Sequence, residues 1–253
     1  MNEHESIGQS AIPEAPSRAE ENPFWNYQDL ALFLTSGIPA LLAGALIVKA
    51  LFYGFSLSGQ GQAPELLSAQ FLAYALWYVV LYMILHVKYG RPFWESLGWV
   101  RPLERFGRYA LLGVLLAFAV AIAGLFLKAP DIEMPMMRLL SDRTSLILVG
   151  LAAATLGPIC EELAFRGFIL PLLVRSMGVV LGILLTTLPF ALLHGPQYAW
   201  SWRHLLFIVL AGASFGLLRL RTGSTAAATV MHAAYNLTFF IAFLFQSKNL
   251  PVK

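Results

Sequence analysis

Seven apolar runs, most of them long enough to cross a membrane, leave this chain few ways to fold. Crossing the ~30 Å hydrocarbon core of a bilayer as a helix takes ~20 mainly apolar residues. The runs are Leu30–Phe55, Leu66–Val87, Tyr109–Leu127, Ser145–Val174, Val179–His194, Leu205–Leu220 and Thr225–Phe245. A bilayer offers no water to satisfy backbone N–H and C=O groups, so such runs must be helices. The prediction is an all-α, polytopic transmembrane helix bundle with seven spanning helices. The fourth run is too long for an upright span, and a kink at Pro158 fits it. A full break at Gly157-Pro158 would make eight.

Composition agrees. Of 253 residues, 58% are hydrophobic and 12% charged, against roughly 25% charged in soluble domains. Charge this sparse cannot cover a water-facing surface, which argues against a soluble enzyme, a nucleic-acid binder or a disordered regulator. The net charge of +3 does not revive nucleic acid as a partner, because the basic residues are scattered over loops and form no basic face. Cys160 is the one cysteine, so no internal disulfide or thiolate metal cluster can form.

Residues 1–28 are polar, acidic and proline-containing, and read as a disordered tail. They lack the basic start and short apolar core of a signal peptide, so the first apolar run is expected to stay as an anchor. Residues 29–246 form the transmembrane domain and 247–253 a short C-terminal tail. With seven spans, nine basic residues fall on the side of the N-terminus: Arg18, Lys88, Arg91, Arg101, Arg105, Arg108, Arg175, Arg219 and Arg221. Six fall on the other: Lys128, Arg138, Arg143, Arg203, Lys248 and Lys253. The positive-inside rule then puts the N-terminus in the cytoplasm. Trp94, Trp99, Trp200 and Trp202 stand near helix ends, where an interfacial aromatic belt would put them.

Ionisable groups inside spanning helices are costly and usually face the bundle interior. Glu161, Glu162 and Arg166 lie in LGPICEELAFRGFIL, His194 ends TTLPFALLH, and His232 lies in TAAATVMHAAYNLTFF. Glu162 and Arg166 are i, i+4 and can pair on one face, whereas Glu161 is turned about 100° away. His232 and Asn236 are also i, i+4, and Phe190 stands one turn below His194. Taken singly these groups have structural readings: an ion pair, helix–helix hydrogen bonds, packing glue. Cys160 reads as a small packing residue and the Asn236-Leu237-Thr238 sequon as accidental. So many costly groups on three helices of one bundle are harder to explain as independent ties.

Glu161-Glu162-Leu163-Ala164-Phe165-Arg166 resembles the EExxxR motif of the CPBP intramembrane proteases, the CAAX prenyl protease and bacteriocin-processing (Abi) family. Phe190-Ala191-Leu192-Leu193-His194 resembles its FxxxH motif, and His232-Ala233-Ala234-Tyr235-Asn236 its HxxxN motif. The resemblance covers residues 145–246, which would form the catalytic core. It implies an intramembrane endopeptidase acting on a membrane-embedded or lipidated peptide within the lipid bilayer. Glu161 would activate a water, His194 would hold or polarise it, and His232 and Asn236 would face the oxyanion. Glu162, Arg166 and Phe190 would support the site. Glu161, His194 and His232 also form a Glu/His/His set that zinc could use. HExxH is absent, and the reading leans to a metal-free glutamate mechanism. The residues leave open a catalytically silent scaffold or immunity-type binding protein of the same fold, and a proton-coupled transporter using the same groups as a relay.

Depth poses a difficulty. At ~1.5 Å per residue, Glu161 stands roughly 24 Å along its helix from Ser145. His194 stands nearly as far from Val179, on a helix running the other way. Counted from those starts, the two lie toward opposite membrane faces unless the fourth helix tilts or projects.

Overall fold

A computed structural model describes residues 22–57, 62–100, 103–128, 139–140 and 142–247. Residues 1–21 of the tail predicted over 1–28, and residues 248–253 of the C-terminal tail predicted over 247–253, lie outside the described residues. Among the described residues there is helix and no strand. The spanning helices are α1 (Tyr27–Gly54), α2 (Gln62–Tyr82, continued by a π-helical turn Met83–Lys88), α4 (Phe106–Phe126), α8 (Trp202–Thr222) and α9 (Thr225–Ser247). A short helix, α3 (Phe93–Ser96), lies in the loop between α2 and α4. The middle of the chain is a near-continuous helical stretch from Arg143 to Leu193. It comprises α5 (Arg143–Ala154), α6 (Leu156–Glu162), a π-helical segment (Leu163–Ile169) and α7 (Leu170–Leu193). Among the described residues six continuous stretches are long and apolar enough to cross a membrane, and the fold is an all-α polytopic bundle. Large apolar side chains such as Leu46, Phe126 and Val180 are exposed around it, as they must be where lipid is the solvent.

The stretch of 51 residues cannot be one crossing. At ~1.5 Å per residue it would run ~77 Å, more than twice the hydrocarbon thickness. It folds back at Gly178, whose φ of 80° and ψ of 171° belong to a region open essentially to glycine alone. The reversal shows in the contact between Val174 and Gly182. A Cβ on Gly182 would stand 2.9 Å from the backbone nitrogen of Val174, although positions eight apart in a straight helix are ~12 Å apart. Glycine at 182 lets the two arms of the hairpin touch backbone to backbone.

The number of crossings follows from which loops meet. Lys88 pairs with the buried Asp29 at 2.5 Å, and Arg175 donates to the carbonyl oxygens of Pro23 and Trp25. Thr225 donates its N–H to the Gly98 carbonyl at 2.8 Å, and Ser224 Oγ donates to the Val100 carbonyl at 2.6 Å. One end of the bundle therefore gathers residues 23–29, 88–100, 175 and 224–225. That parity requires seven passes, with Arg143 to Met177 counted once. The eighth crossing considered for a break at Gly157-Pro158 is not made. The chain does break, at Thr155 (φ −134°, ψ −85°), but it continues across the bundle.

The packed domain also begins earlier than residue 29. Asn26 caps α1, its side chain accepting from the backbone of Gln28 and Asp29 while Asp29 accepts from the backbone of Asn26. Trp25 is buried, stacks on Phe168 at 5.1 Å and donates its indole N–H to the Phe168 carbonyl at 3.1 Å. Composition cannot show this, because the polar character of the segment belongs to the cap while one aromatic ring supplies the anchor.

Candidate active site

Pro158 prepares the site. Its ring has no N–H to give and would clash with the carbonyl four residues back, so α5 cannot run on into α6. The last carbonyls of α5 find other partners. Thr155 Oγ1 donates to Leu151 O at 2.5 Å, the Thr155 N–H to Ala152 O at 3.4 Å, and Asn236 Nδ2 to Ala153 O at 2.9 Å. The short helix α6 restarts beyond the break and carries Glu161 and Glu162 at its end.

Glu161 and His194 meet because the hairpin turn, and not the helix starts, sets their depth. Gly178 stands almost midway between them in the chain. On two antiparallel arms such positions share a height. Glu161 Oε2 lies 4.0 Å from His194 Nε2 and 3.8 Å from His232 Nε2. The opposite-face difficulty therefore disappears.

Each imidazole is oriented through its other nitrogen. His194 Nδ1 is 2.8 Å from the Phe190 carbonyl, which can only accept, so Nδ1 carries the hydrogen. His232 Nδ1 is 2.9 Å from Glu162 Oε1 and donates to that carboxylate. In a neutral ring each Nε2 is then a bare acceptor aimed at the Glu161 side. Phe190 packs on His194 with centroids 4.7 Å apart, and Phe215 stacks on His232 at 4.5 Å and 19°.

The carboxylates divide by exposure. The side chains of Glu161 and His194 are each 19% exposed, enough to be reached, while Glu162 and Arg166 are fully buried. The expected i, i+4 pair is present: Arg166 Nη1 donates to Glu162 Oε1 at 2.9 Å. Arg166 Nη2 donates to the Gly212 carbonyl at 2.7 Å, and the guanidinium lies 4.5 Å from the Phe190 ring centroid. Glu162 thus ties Arg166 to His232 through one oxygen. Its Oε2, and Arg166 Nε, are buried without a hydrogen-bond partner among the described residues.

Four residues near the site escape motif reading. Phe215 and Gly212 belong to α8, and their signal was the Gly223 turn, which Phe215 and His232 flank at nearly equal chain distances. Tyr198 closes the 3₁₀ turn Gly195–Tyr198 that follows His194. Burial and then the Glu161 charge push its phenol upward, so it stays a neutral donor. Tyr78 on α2 donates to the Cys160 carbonyl, and no local pattern marks it.

The donor set suits zinc by type, with each Nδ1 held by a carbonyl or carboxylate as in metal sites. The spacing does not. Bonds of about 2.0–2.1 Å put oxygen and nitrogen about 3.3–3.4 Å apart at a tetrahedral angle. The observed 3.8 and 4.0 Å would need angles of about 135° and 155° at such bond lengths. A water hydrogen-bonded at about 2.8 Å to two acceptors spans about 4 Å at a right angle. Among the described residues no three His, Cys, Asp or Glu side chains are grouped to hold a metal ion.

Residues 143–238 match a family model described as Type II CAAX prenyl endopeptidase Rce1-like. Over those residues the chain is similar to an Rce1-like domain. The match begins at the first residue of α5 and ends just beyond Asn236, so it contains all three motifs. At family level the Rce1-like domain is that of a CAAX-type protease in a multi-pass membrane protein, acting on a membrane-associated peptide, in agreement with the CPBP resemblance. Comparison with curated proteins and with solved structures returns no match. Helices α1, α2 and α4 lie outside the Rce1-like match, yet Trp25 just ahead of α1 and Tyr78 on α2 bond into it.

Proposed function

We propose that this protein is an intramembrane endopeptidase in which Glu161 is the general base for a metal-free hydrolysis of a membrane-embedded or lipidated peptide. The observation that carries the reading is the pair of Nε2 atoms, 4.0 and 3.8 Å from one Glu161 oxygen, with both rings locked through Nδ1. A water between Glu161 Oε2 and His194 Nε2 gives one hydrogen to each. Its lone pairs are then free to attack a carbonyl carbon. Glu161 takes the proton, the carbon–oxygen bond forms, and the carbonyl electrons move to oxygen. His232, held through its Nδ1 by Glu162, lies beside that oxyanion. Asn236 supplies a donor from the Nδ2 hydrogen that Ala153 does not take. Glu161 then passes its proton to the departing amine as the C–N bond breaks. Such donors act most strongly where water is excluded.

The test is cleavage of a library of membrane-associated peptides, with and without a prenylated cysteine, by purified protein in bilayers. Cleavage that Glu161→Ala abolishes supports the reading. Specific binding without cleavage by the wild type would instead favour the silent-scaffold alternative.

A further inference from the structure

Helix α2 lies outside the motif region, yet it carries two polar side chains in its apolar run, Gln70 and Tyr74. The Gln70 amide donates from Nε2 to the Tyr74 hydroxyl at 3.3 Å. Tyr78, one turn further on, donates its hydroxyl to the Cys160 carbonyl, one residue before Glu161. Residues 70, 74 and 78 are i, i+4 and i+8 and share one face of the helix. The adjoining face belongs to α1. A Cβ on Gly44 would stand 2.8 Å from Ala69 O and 2.9 Å from Ala73 N, and Trp77 stacks on Phe33 at 4.3 Å. Turned about 100° from that contact, the polar stripe faces the α5–α6 pass, which Tyr78 touches and along which α2 packs.

The stripe leads away from Glu161 along the break in that pass. Both α2 and α5–α6 run toward the end of the bundle that holds residues 23–29. With Tyr78 beside Cys160, Tyr74 and Gln70 therefore lie one and two turns back, alongside the break at Thr155. At ~1.5 Å per residue they stand ~6 and ~12 Å from the level of Tyr78. Among the described residues the bond between them is the only side-chain hydrogen bond either makes. One amide N–H, the amide oxygen and the phenol hydrogen are left over. Such groups are costly in a spanning helix unless they meet a cavity or a partner. Both side chains are half-buried, so they can be reached.

We propose that Gln70 and Tyr74 form a subsite that binds the main chain of the substrate peptide beside the scissile bond. A peptide unwound for cleavage has N–H and C=O groups that lipid cannot satisfy. Gln70 Oε1 accepts from such an N–H, and the Gln70 amide or the Tyr74 hydroxyl donates to such a C=O. An extended chain advances ~3.3 Å per residue. With the scissile bond at Glu161, ~6 and ~12 Å correspond to about two and four residues along the substrate. The subsite reads backbone and demands no particular side chain. It rests on the protease reading of Glu161 and adds where the peptide lies.

Gln70→Leu in the full chain in bilayers keeps the bulk of the side chain and removes its polar atoms. KM for the best library peptide should rise about three- to tenfold, the range for one or two lost hydrogen bonds, with kcat unchanged. The melting temperature should not fall, because leucine suits a spanning helix better than a spare amide. Tyr74→Phe should raise KM in the same direction. The effect of Gln70→Leu should vanish with a peptide cut back to two residues on each side of the scissile bond, which ends short of Gln70. An unchanged KM with the long peptide, or an equal rise with the short one, would overturn the subsite. So would a Gln70→Leu protein that fails to fold, since the amide would then be a structural tie. If the wild type cleaves no peptide, the protease reading fails, and equilibrium binding of the same library decides the subsite. A Kd three- to tenfold weaker in Gln70→Leu supports it; an equal Kd, or no binding, overturns it.

Discussion

Glu161 and His194 stand at nearly equal chain distances on either side of Gly178, and their Oε2 and Nε2 atoms are 4.0 Å apart. One glycine turn thus brings to a common depth two groups that are far apart in the chain. The neighbouring hairpin at Gly223 does the same for Phe215 and His232, whose rings stack at 4.5 Å.

Glu161→Gln keeps the size of the side chain and removes its ability to take a proton. The variant should fold, insert and bind peptide but cleave at least ~100-fold more slowly than wild type, the usual range for loss of a general base. Single-turnover cleavage in bilayers measures it, and wild-type-like rates would sink the assignment. Wild-type activity should also survive prolonged incubation with a strong chelator. Loss of activity that added zinc restores would support the Glu/His/His metal site instead.

Arg166→Ala would leave the fully buried Glu162 carboxylate, whose Oε1 accepts from Arg166 Nη1 at 2.9 Å, with the His232 Nδ1 bond but no guanidinium. Breaking a buried pair from one side typically costs about 3–5 kcal/mol. A clearly lowered melting temperature should accompany any loss of activity. A protein as stable as wild type but inactive would point to Arg166 acting on substrate directly.

Gly178→Ala tests the hairpin. With φ at 80° and ψ at 171°, any side chain there is strained, at a cost of about 1–3 kcal/mol. A Cβ at 178 meets no atom within 4 Å, so the effect should come from backbone conformation and not from crowding. Thermal unfolding should fall accordingly, whereas an unchanged midpoint would argue against the reversal at this residue.

The excess of basic residues on the N-terminal side predicts a cytoplasmic N-terminus. Reporter fusions to the N-terminus and to the Gly223 turn should both report the cytoplasm, because contacts gather residues 23–29 and 224–225 at one end of the bundle. Fusions that report opposite sides would contradict the seven-pass topology, and two extracytoplasmic signals would reverse its orientation.

Much of the bundle was legible beforehand. Span lengths follow from bilayer thickness, and the helix ends agree with the expected runs to within a few residues. The Glu162–Arg166 pair was legible because i, i+4 spacing is a local property of one helix. Depth was legible in principle, but only with Gly178 as the origin. Counting from the helix starts misled because helices differ in length while a turn is shared by both arms.

The sequence by itself determined that the chain crosses the membrane many times as helices, left seven or eight crossings open, and marked which polar groups must avoid lipid. The tertiary structure decided which way each helix faces. In a soluble protein the apolar stripe of a helix marks its buried side. Here the lipid-facing and core-facing sides are both apolar, so periodicity carries little record of rotation, and helix pairing depends on close packing and a few polar contacts. The long-range bond from His232 to Glu162, the Asn236 brace on Ala153 and the Tyr78 bond to the Cys160 carbonyl all depend on that rotation. No local pattern encodes it.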